Sequence, residues 1–99
     1  MEFNELQATE TVLEGYWLDL GSRMEPDAVC ARIEWLVKER LKLCAESVSA
    51  GTRLYRDPAD GRFWEYSHRG AVAAGPPALA VITTADAEAR YGRQAVSAG

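Results

Sequence analysis

The sequence predicts a small two-layer α+β domain, with one long helix packed on a mainly antiparallel sheet of three or four strands and a short helix near the C-terminus. Three observations predict it. A long amphipathic run begins at Pro26, an Asp-Pro-Ala-Asp-Gly turn joins two alternating aromatic runs, and 99 residues suffice for one modest core and no more.

In chain order, residues 1–9 carry little pattern and are expected to fray. Thr11 to Leu20 reads as a strand, because Leu18 and Leu20 alternate with Asp19 and because Tyr16 and Trp17 favour extended backbone; Gly21 and Ser22 end it. Pro26 suits a first helical turn, and Glu25 and Asp27 suit the positive end of its dipole. From there to about Ser49, Val29, Cys30, Ile33, Leu36, Val37, Leu41, Leu43, Cys44 and Val48 lie within about 80° of Ile33 at ~100° per residue, which predicts one continuous helix stopped by Gly51.

Thr52–Arg56 and Arg62–Ser67 then alternate around residues 57–61, a strong hairpin signal. His68 to Ala78 reads as a loop, since Gly75-Pro76-Pro77 opposes regular structure. Leu79–Ile82 is a short apolar strand. Thr83 or Thr84 caps a helix through about Tyr91, with Asp86 in its first turn and Gly92 after its last. Residues 1–92 are thus expected to form a single domain and 93–99 a flexible tail. The long helix must bury its stripe on one face of the sheet, which gives two layers.

The net charge of −4 is unevenly spread: residues 1–27 carry −6 and the remainder is nearly neutral. Such a field disfavours nucleic acid and anionic membranes and favours a basic partner, though a mild excess of carboxylates also serves plain solubility. The apolar runs are far shorter than the ~20 residues a membrane helix needs, and Met1 to Gln7 is too polar for a signal peptide. Cys30 and Cys44, read on one helix, stand about 21 Å apart at ~1.5 Å per residue. A disulfide needs Cα atoms within roughly 7 Å, so two free thiols and a cytoplasmic location are expected.

No catalytic constellation, metal set or cofactor motif is expected. Two cysteines and His68 do not make a zinc set, no serine lies in a nucleophile elbow, and the glycines form no phosphate-cradling loop. Asp57 and Asp60 could act as a carboxylate pair or cap a turn, and the turn is favoured by the Pro and Gly between and after them. His68 has no visible partner and reads as a solvated or turn-bonding residue. Arg53, Arg56, Arg62 and Arg69 interleave with Tyr55, Phe63, Trp64 and Tyr66, a pattern also seen on single-strand nucleic-acid faces. In an acidic chain a solvated sheet face is favoured. Trp35 lies about 160° from the centre of the apolar stripe, and so is either covered by another segment or offered to a partner; Arg40 lies inside the stripe, where its stem can pack and its head snorkel.

The string Glu10-Thr11-x-Leu13-x-Gly15-x-Trp17, then Arg32-Ile33-Glu34-Trp35-Leu36, then Leu54-Tyr55-Arg56-Asp57-Pro58-x-Asp60-Gly61-Arg62-Phe63-Trp64-Glu65, Gly75-Pro76-Pro77-x-Leu79 and Ala87 to Tyr91-Gly92 resembles the Immunity protein 27 family of bacterial polymorphic-toxin systems. The resemblance covers about residues 10–92. It departs from the family pattern at Tyr66 to Ala74, which is less polar and less glycine-rich here than in the family.

The resemblance implies a small cytoplasmic antidote that binds a cognate toxin effector domain and occludes it stoichiometrically. The alternative is a small non-catalytic regulatory or adaptor domain with another protein partner. Within the family string, Arg56, Asp57, Asp60, Gly61, Trp64, Glu65, Gly75, Pro76 and Pro77 read as structural residues. For the partner, the acidic N-terminal third, the helix face around Trp35 and the 68–78 loop compete. Charge favours the first, with Glu10, Glu14 and Asp19 supplying steering and Tyr16, Trp17 and Trp35 supplying apolar anchors.

Overall fold

The structure, a computed structural model, describes residues 4–68 and 75–98. The elements run β1 (Val12–Glu14), β2 (Trp17–Asp19), β3 (Met24–Pro26), α1 (Ala28–Glu39), β4 (Lys42–Ser47), β5 (Thr52–Arg56), β6 (Phe63–His68), β7 (Pro77–Ile82), α2 (Thr84–Tyr91) and α3 (Arg93–Ala98). Five strands form one antiparallel sheet in the order β1-β7-β6-β5-β4, and β2 and β3 form a separate antiparallel hairpin. Helix α1 links the two edges of the large sheet and crosses beneath one face.

The domain has three layers, not the two expected. On one face Ile33 and Leu36 of α1 pack with Leu13, Tyr55, Trp64, Tyr66 and Leu79. On the other, Ala87 of α2 and Ala95 of α3 pack with Leu54 and Phe63. Strand alternation sends adjacent side chains to opposite faces, so Leu54-Tyr55 and Phe63-Trp64 each place one large apolar group on either side. Burying such a side chain contributes roughly 1.5–3 kcal/mol, which makes a second helical cover worthwhile.

The long helix is also corrected. Helix α1 has 12 residues and ends at Glu39, where the N–H groups of Arg40 and Leu41 both reach the Leu36 carbonyl. Residues 42–47 are the edge strand β4, paired with β5 from Lys42↔Arg56 to Ser47↔Thr52. A bulge at Cys44 shifts the register, and Val48, placed on the buried stripe by helical spacing, is 85% exposed in the following turn. Leu41, Cys44 and Val48 happen to keep helical phase across a break that the sheet imposes. Cys44 is consequently a strand residue, while Cys30 stays on α1; both are free.

Four smaller expectations change. The strand expected over 11–20 is divided at Gly15 and Tyr16 into β1 and β2. Pro26 ends β3 instead of standing in the first helical turn, and Asp27 caps α1, accepting from Cys30 N at 2.9 Å. The expected 68–78 loop is shortened by β6 and β7, which pair as far as His68↔Pro77; residues 69–74, with Arg69, lie outside the described residues. Residues 93–98 form α3 instead of a loose tail, with Ala95 buried.

The β5–β6 hairpin and α2 stand where the sequence puts them. Asp57 N donates to Arg62 O at 2.9 Å and Gly61 N to Asp57 O at 2.7 Å, with Gly61 at φ +79. Thr83 caps α2 by accepting from Asp86 N at 3.0 Å, and Gly92 follows it at φ +95.

Candidate partner-binding surface

The N-terminal segment is held down, not frayed, over its described residues. Arg32 Nη1 and Nη2 grip the two carboxylate oxygens of Glu10 at 2.7 and 2.8 Å, and the same guanidinium donates to the carbonyls of Asn4 and Glu5. Arg62, from the β5–β6 turn, donates to Glu10 O at 2.6 Å and Gln7 O at 3.0 Å, while its own Nε binds Asp60 Oδ2 at 2.6 Å. These charge-assisted bonds are short and paired. The hydrogen bonds from Arg32 outweigh the cost of burial and hold the Glu10 carboxyl down at about 2. Glu10 is therefore a clasp between the N-terminal segment and α1.

Trp35 belongs to the same clasp region. It is half-buried against the α1-side core, and the Arg40 guanidinium lies 4.9 Å over its ring. Arg40 in turn pairs with Glu5 at 2.7 Å. The apparently misplaced tryptophan and the apparently misplaced arginine thus pack on each other.

Glu14, Tyr16, Trp17 and Asp19 occupy a different place, along the hairpin β2–β3 and its root. The root is tight. Gly15 is buried with its N–H on Pro77 O at 2.9 Å, and a Cβ there would stand 2.4 Å from Cys30 Sγ and 2.8 Å from Pro77 O. Asp27 N donates to Tyr16 O at 3.0 Å, and the Cys30 thiol also reaches that carbonyl. At the far end Leu20 N donates to Arg23 O across a two-residue Gly21-Ser22 turn, with Gly21 at φ +84 as a primed hairpin turn requires. Asp19 Oδ1 accepts from Gly21 N at 2.9 Å.

Between root and tip the hairpin is open. Tyr16, Trp17, Leu18, Leu20 and Met24 are 40–57% exposed. The register Trp17↔Pro26, Leu18↔Glu25 and Asp19↔Met24 puts Trp17 and Met24 on one face, and alternation puts Tyr16, Leu18 and Leu20 on the other. Scattered exposed apolar residues are ordinary, but five on one short hairpin make it a candidate interaction surface. Sequence alone points to Tyr16 and Trp17 but not to Leu18, Leu20 and Met24, whose exposure depends on the hairpin standing outside the main sheet.

The family-string residues lie in turns, core and inter-layer ties. Asp57 Oδ1 accepts from Ala59 N at 2.9 Å, and Asp60 Oδ1 accepts from Arg62 N at 3.0 Å. Arg56 is half-buried near Gly61, whose added Cβ would stand 3.5 Å from its guanidinium. Trp64 is fully buried beneath the Arg62 guanidinium, 5.0 Å from it. Glu65 ties α2 to the sheet by accepting from Arg90 at 2.9 Å and from the Tyr91 hydroxyl at 2.8 Å. Burial, with the Glu65 carboxylate beside it, pushes Tyr91 up to about 12. Gly75 O accepts from His68 Nδ1 at 2.9 Å, Pro76 is half-buried, and Pro77 is buried as the first residue of β7.

A concavity of about 810 Å³ runs from the β4–β5 turn to the end of β6, past Glu46, Arg53, Tyr66 and His68. Its arginine is paired with Glu46 at 2.9 Å, and Tyr66 donates to Glu34 at 2.7 Å. Among the described residues that line it, Val48 is the only large aliphatic one. Burial raises the pKa of both thiols, Cys30 and Cys44, which leaves them protonated and weakly nucleophilic at neutral pH. Among the described residues no group of three His, Cys, Asp or Glu side chains is placed to hold a metal ion, and no helix is long and apolar enough to cross a membrane.

Fold and surface define the class: a small antiparallel α/β domain with a projecting, partly apolar hairpin. A sequence model of Immunity protein 27 matches residues 19–83, well over half of the chain, and the chain belongs to that family of immunity proteins. The matched span is shorter at both ends than the resemblance over residues 10–92, so the strings from Glu10 to Trp17 and from Ala87 to Gly92 lie outside it. No curated protein and no solved structure matches the chain.

Proposed function

We propose that this protein binds the effector domain of a cognate bacterial toxin in the cytoplasm of the producing cell and neutralises it by stoichiometric occlusion, with no chemistry of its own. The observation that carries this reading is the family match over residues 19–83. The arrangement of side chains supports it. Glu10, Arg32, Arg62, Glu65 and Arg90 are spent on clasps and inter-layer ties, while five of the eight large apolar side chains exposed among the described residues, Tyr16, Trp17, Leu18, Leu20 and Met24, lie along one hairpin.

The contact surface in this reading is the β2–β3 hairpin with Glu14, Tyr16, Trp17 and Asp19. Glu10 and Trp35, candidates by sequence, support the fold instead. Apolar anchors supply affinity, and the carboxylates beside them speed the approach of a basic surface. Co-expression with the product of the adjacent upstream gene tests the proposal: the toxin domain is expected to lose its toxicity and to co-purify with this chain. Undiminished toxicity with no complex overturns it.

A further inference from the structure

We infer that the β2–β3 hairpin works as a plug, entering a cleft of the toxin domain whose walls are apolar and whose mouth is basic. The inference rests on the toxin-binding reading and specifies the shape and chemistry of the partner.

Two observations carry it. First, the apolar side chains stand on both faces of the hairpin, Trp17 and Met24 on one and Tyr16, Leu18 and Leu20 on the other. A flat partner surface covers one face of a two-stranded ribbon and leaves the other in water. Only a concave site takes both from solvent, and burial is where apolar groups contribute affinity. Second, residues 12–27 carry four carboxylates, Glu14, Asp19, Glu25 and Asp27, against the single Arg23, which is already paired with Glu25 at 2.7 Å. Two copies of this chain meeting at the hairpin would oppose like charges, so the surface disfavours self-association and matches a cleft rimmed by Lys or Arg.

The hairpin is also built to project without rearrangement. Its root is fixed by Gly15 N on Pro77 O and by Asp27 N on Tyr16 O, and its tip by the Gly21-Ser22 turn. A preorganised element avoids the ordering cost that a flexible loop would meet on binding. Insertion of such a ribbon explains occlusion directly, because the cleft of an effector domain is where its substrate must enter.

The test uses the full chain and the toxin domain encoded immediately upstream, carrying an inactivating substitution. Hydroxyl-radical footprinting of the unmodified chain is expected to show protection in the complex at Trp17 and Met24 and also at Tyr16 and Leu18. Trp17→Ser with Met24→Ser, and separately Leu18→Ser with Leu20→Ser, are each expected to weaken binding roughly tenfold or more, mostly through faster dissociation. Protection confined to one face, or a loss under about twofold for either pair, overturns the plug while leaving toxin binding in place. Protection without toxin, accompanied by a dimer in light scattering, also overturns it. Absence of any complex with the wild-type chain overturns the function reading itself.

Discussion

Glu10 and Arg32 face each other as a two-pronged ion pair, with oxygen–nitrogen distances of 2.7 and 2.8 Å, and join a segment of uncertain pattern to the middle of α1. The pair makes stability depend on pH. The Glu10 carboxyl titrates at about 2 in the folded chain against 4.5 when unperturbed. Its folded-state pKa is depressed, so the pair's contribution is fully present above about pH 4.5 and is lost as pH falls towards 2. Allowing for partial solvent screening, about 1–2 kcal/mol is at stake. Urea unfolding of wild type and Glu10→Gln between pH 6 and pH 3 checks this: the two stability curves are expected to converge on the acid side, and parallel curves would contradict it.

The same pair separates two roles for the acidic third. Glu14→Lys with Asp19→Lys is expected to slow toxin association, mostly at low salt, and to leave the melting temperature within a degree or two. Glu10→Lys is expected to lower the melting temperature because it puts two cations together. Stopped-flow association at two ionic strengths, with melts of each variant, distinguishes them; wild-type rates for the double variant at low salt would assign the charge to solubility alone.

Gly15→Ala is expected to destabilise the fold by about 1–3 kcal/mol, since the new methyl group meets Cys30 Sγ and Pro77 O. Adding Cys30→Ala should recover part of the loss but not all, because the Pro77 carbonyl remains. Chemical denaturation of the two variants measures both effects. A Gly15→Ala chain as stable as wild type would show that the hairpin root is loose.

Gly61→Val is expected to cost about 1 kcal/mol or more, because φ is +79 at that position. Gly61→Asn should cost less. Toxin affinity measured well below the melting temperature should be unchanged in both. Lost affinity at an unchanged melting temperature would make Asp57–Arg62 a contact loop.

Cys30→Ala with Cys44→Ala is expected to preserve protection in cells with some loss of stability, since both thiols are packed and protonated. A folded double variant that fails to protect would reveal a chemical role for the thiols.

Local chemistry made some elements legible in the sequence and hid others. The β5–β6 hairpin follows from Asp57-Pro58 and Asp60-Gly61, and α2 from Thr83 and Gly92, because turn and cap geometry is set within a few residues. Strand β4 was hidden because Leu41, Cys44 and Val48 repeat at helical spacing and only pairing with β5 overrides it. Helix α3 was hidden because Arg-Gln-Ala-Val-Ser-Ala is too short to show a period, and contact with the second sheet face orders it. Of the candidate surface, Tyr16, Trp17 and Asp19 were legible as aromatic and charged residues in an acidic segment. The assignment of Glu10 to a clasp was not, because its partners Arg32 and Arg62 lie 22 and 52 residues away.

Titration of the active toxin domain with this chain tests the central claim most directly. The account predicts that toxin activity falls linearly to zero at one equivalent, that a 1:1 complex carries the loss, and that unmodified, active toxin is recovered when the complex is dissociated. Inactivation by much less than one equivalent, or toxin that stays inactive after separation, would show catalysis or covalent change and contradict neutralisation by occlusion.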